Sequence, residues 1–298
     1  MSGHHRDHAA DVAHWTSLLL DQGWCVIPSI VPDFTIAALD TELAPDFAGT
    51  PFCNGGFYGA RTKRFGRLLS RSPLMANLVQ HPLVLAIVQT VLGPWCDCIQ
   101  LNLTQALALH PGAAPQLPHR DQDMWRGAIG GTEYLVNVMW PFTSYTRENG
   151  ATLIWPFSHG PNALLDPPDS HFAAELEPGS ALLFLGSTLH GAGGNRSRDV
   201  RRGAIISYCL GWLKPYENQW LAYPPEVARD FAPDLAALVG YRQHRPNLGN
   251  YEGQCPSILL QDNVPTHIPA VDALRPDQEE MVAEFVRTQR WPGEAAST

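Results

Sequence analysis

No apolar run in this sequence is long enough to cross a bilayer. The longest one surrounds Ala181 to Leu185, whereas a membrane-spanning helix needs about 20 consecutive apolar residues. Residues 4–8 are polar and lack the apolar stretch of a secretory signal. We therefore expect a cytoplasmic protein with no membrane partner.

Basic residues are also scarce. The chain has 20 Lys and Arg residues against 29 Asp and Glu residues, and its formal net charge is −9. This balance argues against nucleic acid or an anionic membrane as a bulk electrostatic partner. A small-molecule substrate fits such an acidic surface better than a polymer does.

The cysteines lack the regular spacing of a disulfide framework. All six are scattered, and in a reducing cytosol we expect them to be thiols (Cys25, Cys53, Cys96, Cys98, Cys209 and Cys255). The pair Cys96-x-Cys98 has no second Cys or His pair of matching spacing, so we do not predict a zinc site there.

What is present is enough apolar sequence for one large domain. The 298 residues are 45% hydrophobic and 16% charged, a composition that supports a substantial core. Within a single domain spanning residues 1–298 we predict a flexible N-terminus (1–15), a helical flank with short strands (16–98), a jelly-roll catalytic core (99–213) and a C-terminal helical or irregular extension packed on the core (214–298).

The order of periodic segments indicates the fold class. Helical spacing marks Asp11–Leu20, Pro32–Leu43, Leu74–Leu92, Pro225–Val239 and Pro276–Arg290. Strand-like segments occur at Gly23–Pro28, Gln100–Leu109, Tyr134–Trp140, Ala151–Trp155, Ala181–Leu185 and Arg202–Leu213. Clustered strands with helices mostly outside them predict a mainly β (α+β) fold, a sandwich or jelly roll with flanking α-helices, rather than alternating βαβ units.

The most informative motif is His119-Arg120-Asp121, followed 69 residues after the aspartate by His190. Two imidazoles and one carboxylate can occupy one face of an octahedral Fe(II) and leave the opposite face open. Alternate residues of a strand point the same way, so we expect His119 and Asp121 to share one ion. His190 would complete the set from a distant strand.

An arginine follows the second histidine. Glycines separate His190 from Arg201, and symmetric pairing about that turn would place the two side chains opposite each other. A guanidinium suits the distal carboxylate of 2-oxoglutarate, whose keto acid end would chelate iron and leave one position for dioxygen. Arg201 is our choice, and Arg202, Arg198 and Arg196 remain competitors.

Several longer segments carry a family resemblance. They are Pro111-Gly112, Gln116 to Asp123, Glu148 to Thr152, and His190 to Asn195 continuing to Arg201. Together they resemble the phytanoyl-CoA dioxygenase-like family of Fe(II)/2-oxoglutarate oxygenases. The segments Thr62 to Arg64, Leu101 to Gln105 and Gly211 to Gln219 resemble its branch that tailors fungal alkaloids and meroterpenoids. The resemblance spans roughly residues 20 to 260.

The resemblance implies a double-stranded β-helix, a jelly-roll or cupin-like barrel with the metal in its mouth. It implies iron ligands at His119, Asp121 and His190, a co-substrate clamp at Arg201, and polar contacts to 2-oxoglutarate from Gln116 and Thr152. The implied cofactors are Fe(II), 2-oxoglutarate and O2. One departure is Phe157, which stands where the family commonly has glycine and puts the local turn in doubt. Asp121 favours oxygenation, because related halogenases have a small residue there.

The implied function is oxidation of an unactivated C–H bond in a small-molecule natural product, by hydroxylation or by desaturation, cyclisation or rearrangement. Candidate substrate-pocket residues lie near the metal motif or in an aromatic, glycine-rich turn, with core packing as the alternative for each. They are Asn54, Phe57, Tyr58, Met124 and Trp125.

Two other functions remain open. A non-catalytic jelly-roll protein would hold zinc structurally and would need a fourth ligand. An acyl-CoA or carrier-bound acyl hydroxylase would favour a basic entrance, for which Arg61, Lys63, Arg64 and Arg67 offer a small cluster that we interpret as a solvated, partly paired face. The aromatic tract Trp212 to Tyr223 either forms a homodimer contact, as the resemblance suggests, or covers the barrel.

Overall fold

Two antiparallel sheets form the centre of the molecule. The computed structural model describes residues 8–127 and 129–290. Within these ranges the strands are β1 (Trp24–Ile27), β2 (Thr62–Phe65), β3 (Ile99–Leu109), β4 (Leu135–Pro141), β5 (Thr152–Ile154), β6 (Phe172–Ala174), β7 (Ala181–Leu185), β8 (His190–Ala192) and β9 (Arg201–Leu210). The larger sheet has the order β1-β7-β4-β9-β3-β2, and the smaller sheet has the order β6-β5-β8.

Along the chain, the α-helices lie before β3 or after β9. They are α1 (His8–Gln22), α2 (Asp33–Glu42), α3 (Ala44–Gly49), α4 (Leu68–Arg71), α5 (Met75–Val79), α6 (Pro82–Leu92), α7 (Gln219–Ala222), α8 (Pro225–Ala228), α9 (Pro233–Leu238) and α10 (Pro276–Thr288). Short 3-10 turns lie at Gly93–Trp95, Asp121–Met124, Gly160–Leu164 and Pro256–Leu260. Among the described residues, none of the helices has both the length and the apolar character needed to cross a membrane.

The apolar residues form two cores on opposite faces of the larger sheet. One lies between the sheet and the helical layer and includes Val84, Val138 and Tyr208. The other lies between the two sheets and includes Leu107, Met139 and Phe184. Both faces of β4 are therefore covered, and every residue of that strand is buried. This arrangement is the predicted jelly roll with flanking helices.

Prolines shorten several predicted helices. The segment Leu74–Leu92 is two helices, α5 and α6, because Pro82 has no N–H to donate and holds His81 in an extended conformation (φ −60°, ψ 120°). The segment Pro225–Val239 is likewise divided into α8 and α9 before Pro233. The last predicted strand ends at Leu210 rather than Leu213. Residues 8–15 of the predicted flexible terminus belong to α1, and residues 1–7 lie outside the described residues.

The predicted pairing between the strands of His190 and Arg201 is wrong. Strand β8 pairs with β5 in the smaller sheet, where His190 lies opposite Ile154. Strand β9 pairs with β3 and β4 in the larger sheet, where Arg201 lies opposite Leu109. The glycine-rich connection therefore crosses from one sheet to the other, and both side chains line the same cavity.

The turn at Phe157 forms despite the absence of glycine. Phe157 adopts a left-handed conformation with φ 58°. Its N–H donates to the Gln22 carbonyl at 3.1 Å, and its own carbonyl accepts from Asn162 Nδ2 at 2.9 Å. These two hydrogen bonds hold a conformation that is unfavourable for a residue with a Cβ.

Candidate metal centre

Two histidines from distant parts of the chain meet in a short antiparallel bridge. The backbone N–H of His119 donates to the His190 carbonyl at 2.9 Å, and that of His190 donates to the His119 carbonyl at 3.0 Å. His119 Nδ1 is hydrogen-bonded to the Leu117 carbonyl at 2.9 Å, and His190 Nδ1 is hydrogen-bonded to the Thr188 carbonyl at 3.0 Å. Since a carbonyl only accepts, each Nδ1 carries the proton and each Nε2 has its lone pair free for a metal.

Asp121 completes the cluster. Its Oδ1 lies 3.4 Å from His119 Nε2, and its Oδ2 lies 3.6 Å from His190 Nε2. The potential ligand atoms of the three residues all lie within 4.8 Å of one another. Asp121 begins a 3-10 turn, so the expectation that it shares a strand with His119 is wrong. The turn nevertheless brings both side chains to the same point.

Electrostatics favour the protonation states that a metal requires at Asp121 and His190. Burial by itself would raise the pKa of Asp121, but His190, His119 and a hydrogen bond from Asn137 outweigh it and lower that pKa to about 2. Burial also lowers the pKa of His190, which keeps this ring neutral. An ionised carboxylate and a neutral imidazole are the forms that bind a divalent ion.

The loop that carries the motif is anchored on both sides of His119 and Asp121. Arg120 is bound to two backbone carbonyls: its Nε donates to the Ser187 carbonyl at 3.0 Å and its Nη2 donates to the Ser158 carbonyl at 3.3 Å. Gln122 is buried, and its Nε2 donates to the Thr132 carbonyl at 2.9 Å. These bonds fix the position of the loop without using the ligand atoms.

The cluster opens into a cavity of about 380 Å³. All six residues predicted to bind the metal or 2-oxoglutarate line it, namely Gln116, His119, Asp121, Thr152, His190 and Arg201. Gln116 and Thr152 both flank β8: Gln116 Oε1 accepts from the Ala192 N–H at 3.3 Å, and Thr152 lies opposite Ala192 in the sheet. The predicted metal and co-substrate residues are thus brought together in one place.

Arg201 is a buried cation in this cavity. Its side chain is 1% exposed and its guanidinium carbon lies 4.2 Å from the centre of the Tyr145 ring. Its Nε and Nη1 have no hydrogen-bond partner among the described residues. Burial lowers the pKa of Arg201, and a buried guanidinium of this kind requires an anion.

The competing arginines lie elsewhere. Arg202 faces the opposite side of β9, where its Nε donates to Asp40 Oδ1 at 2.7 Å and its Nη2 to Asp40 Oδ2 at 2.5 Å. Arg196 and Arg198 are exposed on the connection before β9. Of the four, Arg201 alone lines the cavity.

Three of the five predicted substrate residues line the cavity. Phe57, Tyr58 and Met124 line the cavity, and the Phe57 ring centre lies 4.8 Å from that of His119. Asn54 and Trp125 lie outside the lining. Asn54 is in an exposed turn, and the Trp125 indole is held by a 2.8 Å hydrogen bond to the Lys214 carbonyl.

Sequence reasoning missed a second guanidinium in the cavity. Arg64, assigned to a solvated face, lines the cavity instead. Its Nη1 donates to Gln105 Oε1 at 3.0 Å, and its guanidinium carbon lies 5.0 Å from the centre of the Tyr58 ring. Tyr58 in turn shares a hydrogen bond between hydroxyl groups with Tyr216, another cavity residue that was missed. Neighbouring residues of a strand point to opposite faces, so a predicted strand at β2 would have separated Arg64 from Lys63. The sequence analysis did not predict that strand.

Comparison with known proteins agrees with the geometry. The family profile described as phytanoyl-CoA dioxygenase (PhyH) matches residues 19–203. The chain is 31% identical over 244 residues to dioxygenase aneA of Aspergillus aculeatus, covering 76% of this chain and 81% of the relative. It is 32% identical over 194 residues to dioxygenase cdmD of Talaromyces verruculosus, covering 62% of this chain and 63% of the relative.

A solved structure supports the fold. The epimerase SnoN, in complex with Fe3+, alpha ketoglutarate and nogalamycin RO, is similar with a TM-score of 0.58 at 18% identity, covering 76% of this chain and 91% of SnoN. At this identity the similarity concerns the fold alone. With the family profile and the fungal relatives, it confirms the resemblance drawn from the motifs: the chain belongs to the phytanoyl-CoA dioxygenase family and is a dioxygenase.

Proposed function

We propose that this chain is an Fe(II)- and 2-oxoglutarate-dependent oxygenase that oxidises an unactivated C–H bond of a small-molecule natural product. His119, Asp121 and His190 hold the iron, and Arg201 binds the distal carboxylate of 2-oxoglutarate. One observation carries the proposal: three convergent ligand atoms share one cavity with a buried arginine whose Nε and Nη1 have no hydrogen-bond partner among the described residues.

The donor set fits ferrous iron. Two neutral imidazole nitrogens and one carboxylate are the ligands of non-haem iron oxygenases, and three protein ligands leave positions open for 2-oxoglutarate and dioxygen. When bound, iron and 2-oxoglutarate supply the oxidising power for C–H cleavage. The protein supplies orientation: Arg201 fixes the far end of the co-substrate, while Gln116 and Thr152 offer hydrogen bonds beside it.

The remaining walls suit a mid-sized organic substrate. Phe57, Leu103, Met124 and Tyr216 give the cavity apolar and aromatic surfaces, which bind carbon skeletons by excluding water. The curated relatives named above are fungal dioxygenases. Hydroxylation is the simplest outcome, and desaturation, cyclisation or rearrangement would follow from how the walls hold the substrate.

A CoA thioester substrate has less support. The predicted basic cluster is dispersed, because Lys63 Nζ donates to the Phe47 carbonyl at 2.8 Å and Arg67 Nε donates to the Ala222 carbonyl at 3.1 Å. Arg61 Nε donates to the Pro111 carbonyl at 2.5 Å, and Arg64 faces the cavity. These four residues therefore do not form a row of unpaired cations at the entrance of the cavity.

A structural zinc site also has less support. Within the described ranges, no further His, Cys, Asp or Glu joins the three candidate ligands. Structural zinc sites are closed by four protein ligands, whereas this cluster faces an open cavity.

The test is spectroscopic. Purified protein with Fe(II) and 2-oxoglutarate under anaerobic conditions should show a weak visible charge-transfer band that is absent in His119→Ala. Asp123→Asn, which changes a cavity carboxylate outside the cluster, should keep the band. Iron binding without any band in the wild-type protein would contradict the proposal.

We further propose that the protein is a cytosolic homodimer. All six cysteines are free in the structure, and unpaired thiols fit a reducing compartment. The aromatic tract exposes Leu221 (76%), Trp220 (45%) and Trp212 (43%), which is the kind of surface that a partner subunit covers.

A further inference from the structure

A single polar side chain interrupts an apolar strand beside the metal cluster. Strand β4 reads Leu-Val-Asn-Val-Met-Trp-Pro, and all seven residues are buried. Asn137 is 0% exposed, with Val136 and Val138 on either side. A buried amide in a sheet covered on both faces is unfavourable unless its groups are hydrogen-bonded. The strand would pack as well or better with an aliphatic residue at this position.

The amide contacts one of the candidate ligands. Asn137 Nδ2 donates to Asp121 Oδ2 at 3.0 Å. The carbonyl end of the amide, Oδ1, is buried and has no partner among the described residues. This orientation is the only one compatible with an ionised Asp121, because the flipped amide would place two oxygens against each other.

Two neighbouring strands place residues directly opposite Asn137. Asn137 lies opposite Phe184 of β7 and Ser207 of β9. The Phe184 ring centre lies 4.6 Å from that of His190, so the adjacent strand supports a second ligand. Ser207 does not compete for Asn137, since its hydroxyl accepts from Asn102 Nδ2 at 2.9 Å.

We propose that Asn137 is a positioning residue that restricts Asp121 to one metal-binding oxygen. By donating to Oδ2, which lies 3.6 Å from His190 Nε2, the amide leaves Oδ1, 3.4 Å from His119 Nε2, as the oxygen that binds the ion, so the carboxylate does not take a second coordination position. The positions needed by 2-oxoglutarate and dioxygen then stay open. This inference rests on the proposed function, and it explains why an amide with an unpartnered oxygen remains in an apolar strand.

The test compares metal binding with stability. Asn137→Leu removes the hydrogen bond and also the unpartnered oxygen, so the metal-free protein should melt at the same temperature or higher. Its affinity for Co(II), measured by calorimetric titration, should fall by about 10- to 100-fold, as for other residues that orient metal ligands. The Co(II) absorption bands should shift as well, since a released Asp121 can bind through both oxygens.

The matched control is Ser207→Ala, which alters an equally buried polar residue directly opposite Asn137, one whose hydroxyl accepts from Asn102 Nδ2. It should keep both the Co(II) affinity and the spectrum. Asn137→Ser provides a second variant of smaller volume, should the leucine variant not fold.

Unchanged affinity and spectrum in a folded Asn137 variant would overturn the inference, as would equal losses in Ser207→Ala. Failure of the wild-type protein to bind Co(II) at all would instead contradict the proposed metal site. The two failures are therefore distinguishable.

Discussion

At the scale of single residues, Arg201 and Arg202 show how one position decides function. They are neighbours on β9, yet one is buried in the cavity and the other pairs with Asp40 on the opposite face. Strand alternation predicts that only one of them can reach the metal side. The choice depends on register, which is set by pairing of Arg201 with Leu109 and cannot be read from local sequence.

This difference gives a prediction for co-substrate binding. Arg201→Ala should weaken 2-oxoglutarate binding to the Mn(II)-loaded protein by about 10- to 100-fold, since a hydrogen bond to a charged group contributes about 1.5–3 kcal/mol. Arg202→Ala should leave that affinity unchanged, and neither variant should lose Mn(II). Isothermal titration measures both constants. A larger loss in Arg202→Ala would mean that the wrong arginine had been assigned.

At Phe157 the sequence indicated an unusual turn but did not show what stabilises it. Its position in a motif that commonly contains glycine identified a strained turn. The turn forms with φ 58°, a conformation that costs about 1–2 kcal/mol for a residue with a Cβ. The compensating hydrogen bond to Gln22, from a distant part of the chain, was not visible in the local sequence.

At the scale of elements, the sequence predicted every long strand and two short ones, β1 and β5, but missed the short strands β2, β6 and β8. The strands β3, β4, β7 and β9 have five or more residues, and each overlaps a predicted segment. The three-residue strands β6 and β8 carry too little pattern to be recognised. The error at β8 had the largest consequence, because it placed His190 and Arg201 in one hairpin instead of in two facing sheets.

The C-terminal extension is tied to the start of β3 by an ion pair that gives a pH-dependent prediction. Asp97 accepts from the Arg245 guanidinium at 2.6 and 2.8 Å and from its backbone N–H at 3.0 Å. Burial would raise the pKa of Asp97, but these contacts outweigh it and hold that pKa below its ordinary value of 3.8. The stabilisation is therefore complete above pH 3.8 and is lost as the pH falls through the lower, folded-state pKa.

Asp97→Asn should accordingly lower the melting temperature at pH 7, and the gap to the wild-type protein should close in strong acid. Asp277→Asn is the matched control, because Asp277 forms an exposed pair with Arg275 that contributes little. Thermal denaturation followed by circular dichroism at several pH values provides the measurement. A gap that widens toward low pH would contradict the assignment.

At the scale of the whole molecule, the combined motifs predicted the barrel and the metal cluster because they specify chemistry that few folds supply. The walls of the cavity were harder to predict. Arg64 and Tyr216 reach it from β2 and from the segment after β9, and only the closed barrel brings these together. For the same reason, Asn54 and Trp125 were selected by proximity in sequence and lie outside the cavity.

The aromatic tract gives a prediction about assembly. If it forms the dimer contact, Leu221→Asp should convert the protein from a dimer to a monomer in light scattering coupled to gel filtration, because a buried charge without a partner is strongly unfavourable. Val286→Asp, at an exposed apolar position of α10, should leave the mass unchanged. A monomeric wild-type protein would show that the tract only covers the barrel.

The buried guanidinium of Arg201 has a consequence for the protein in the cell. A counterion that binds only the native state shifts the folding equilibrium, by about 2.7 kcal/mol when its concentration is 100 times its Kd. If that counterion is 2-oxoglutarate, as proposed above, the unfolded fraction of the protein in the cell would fall as the concentration of this keto acid rises.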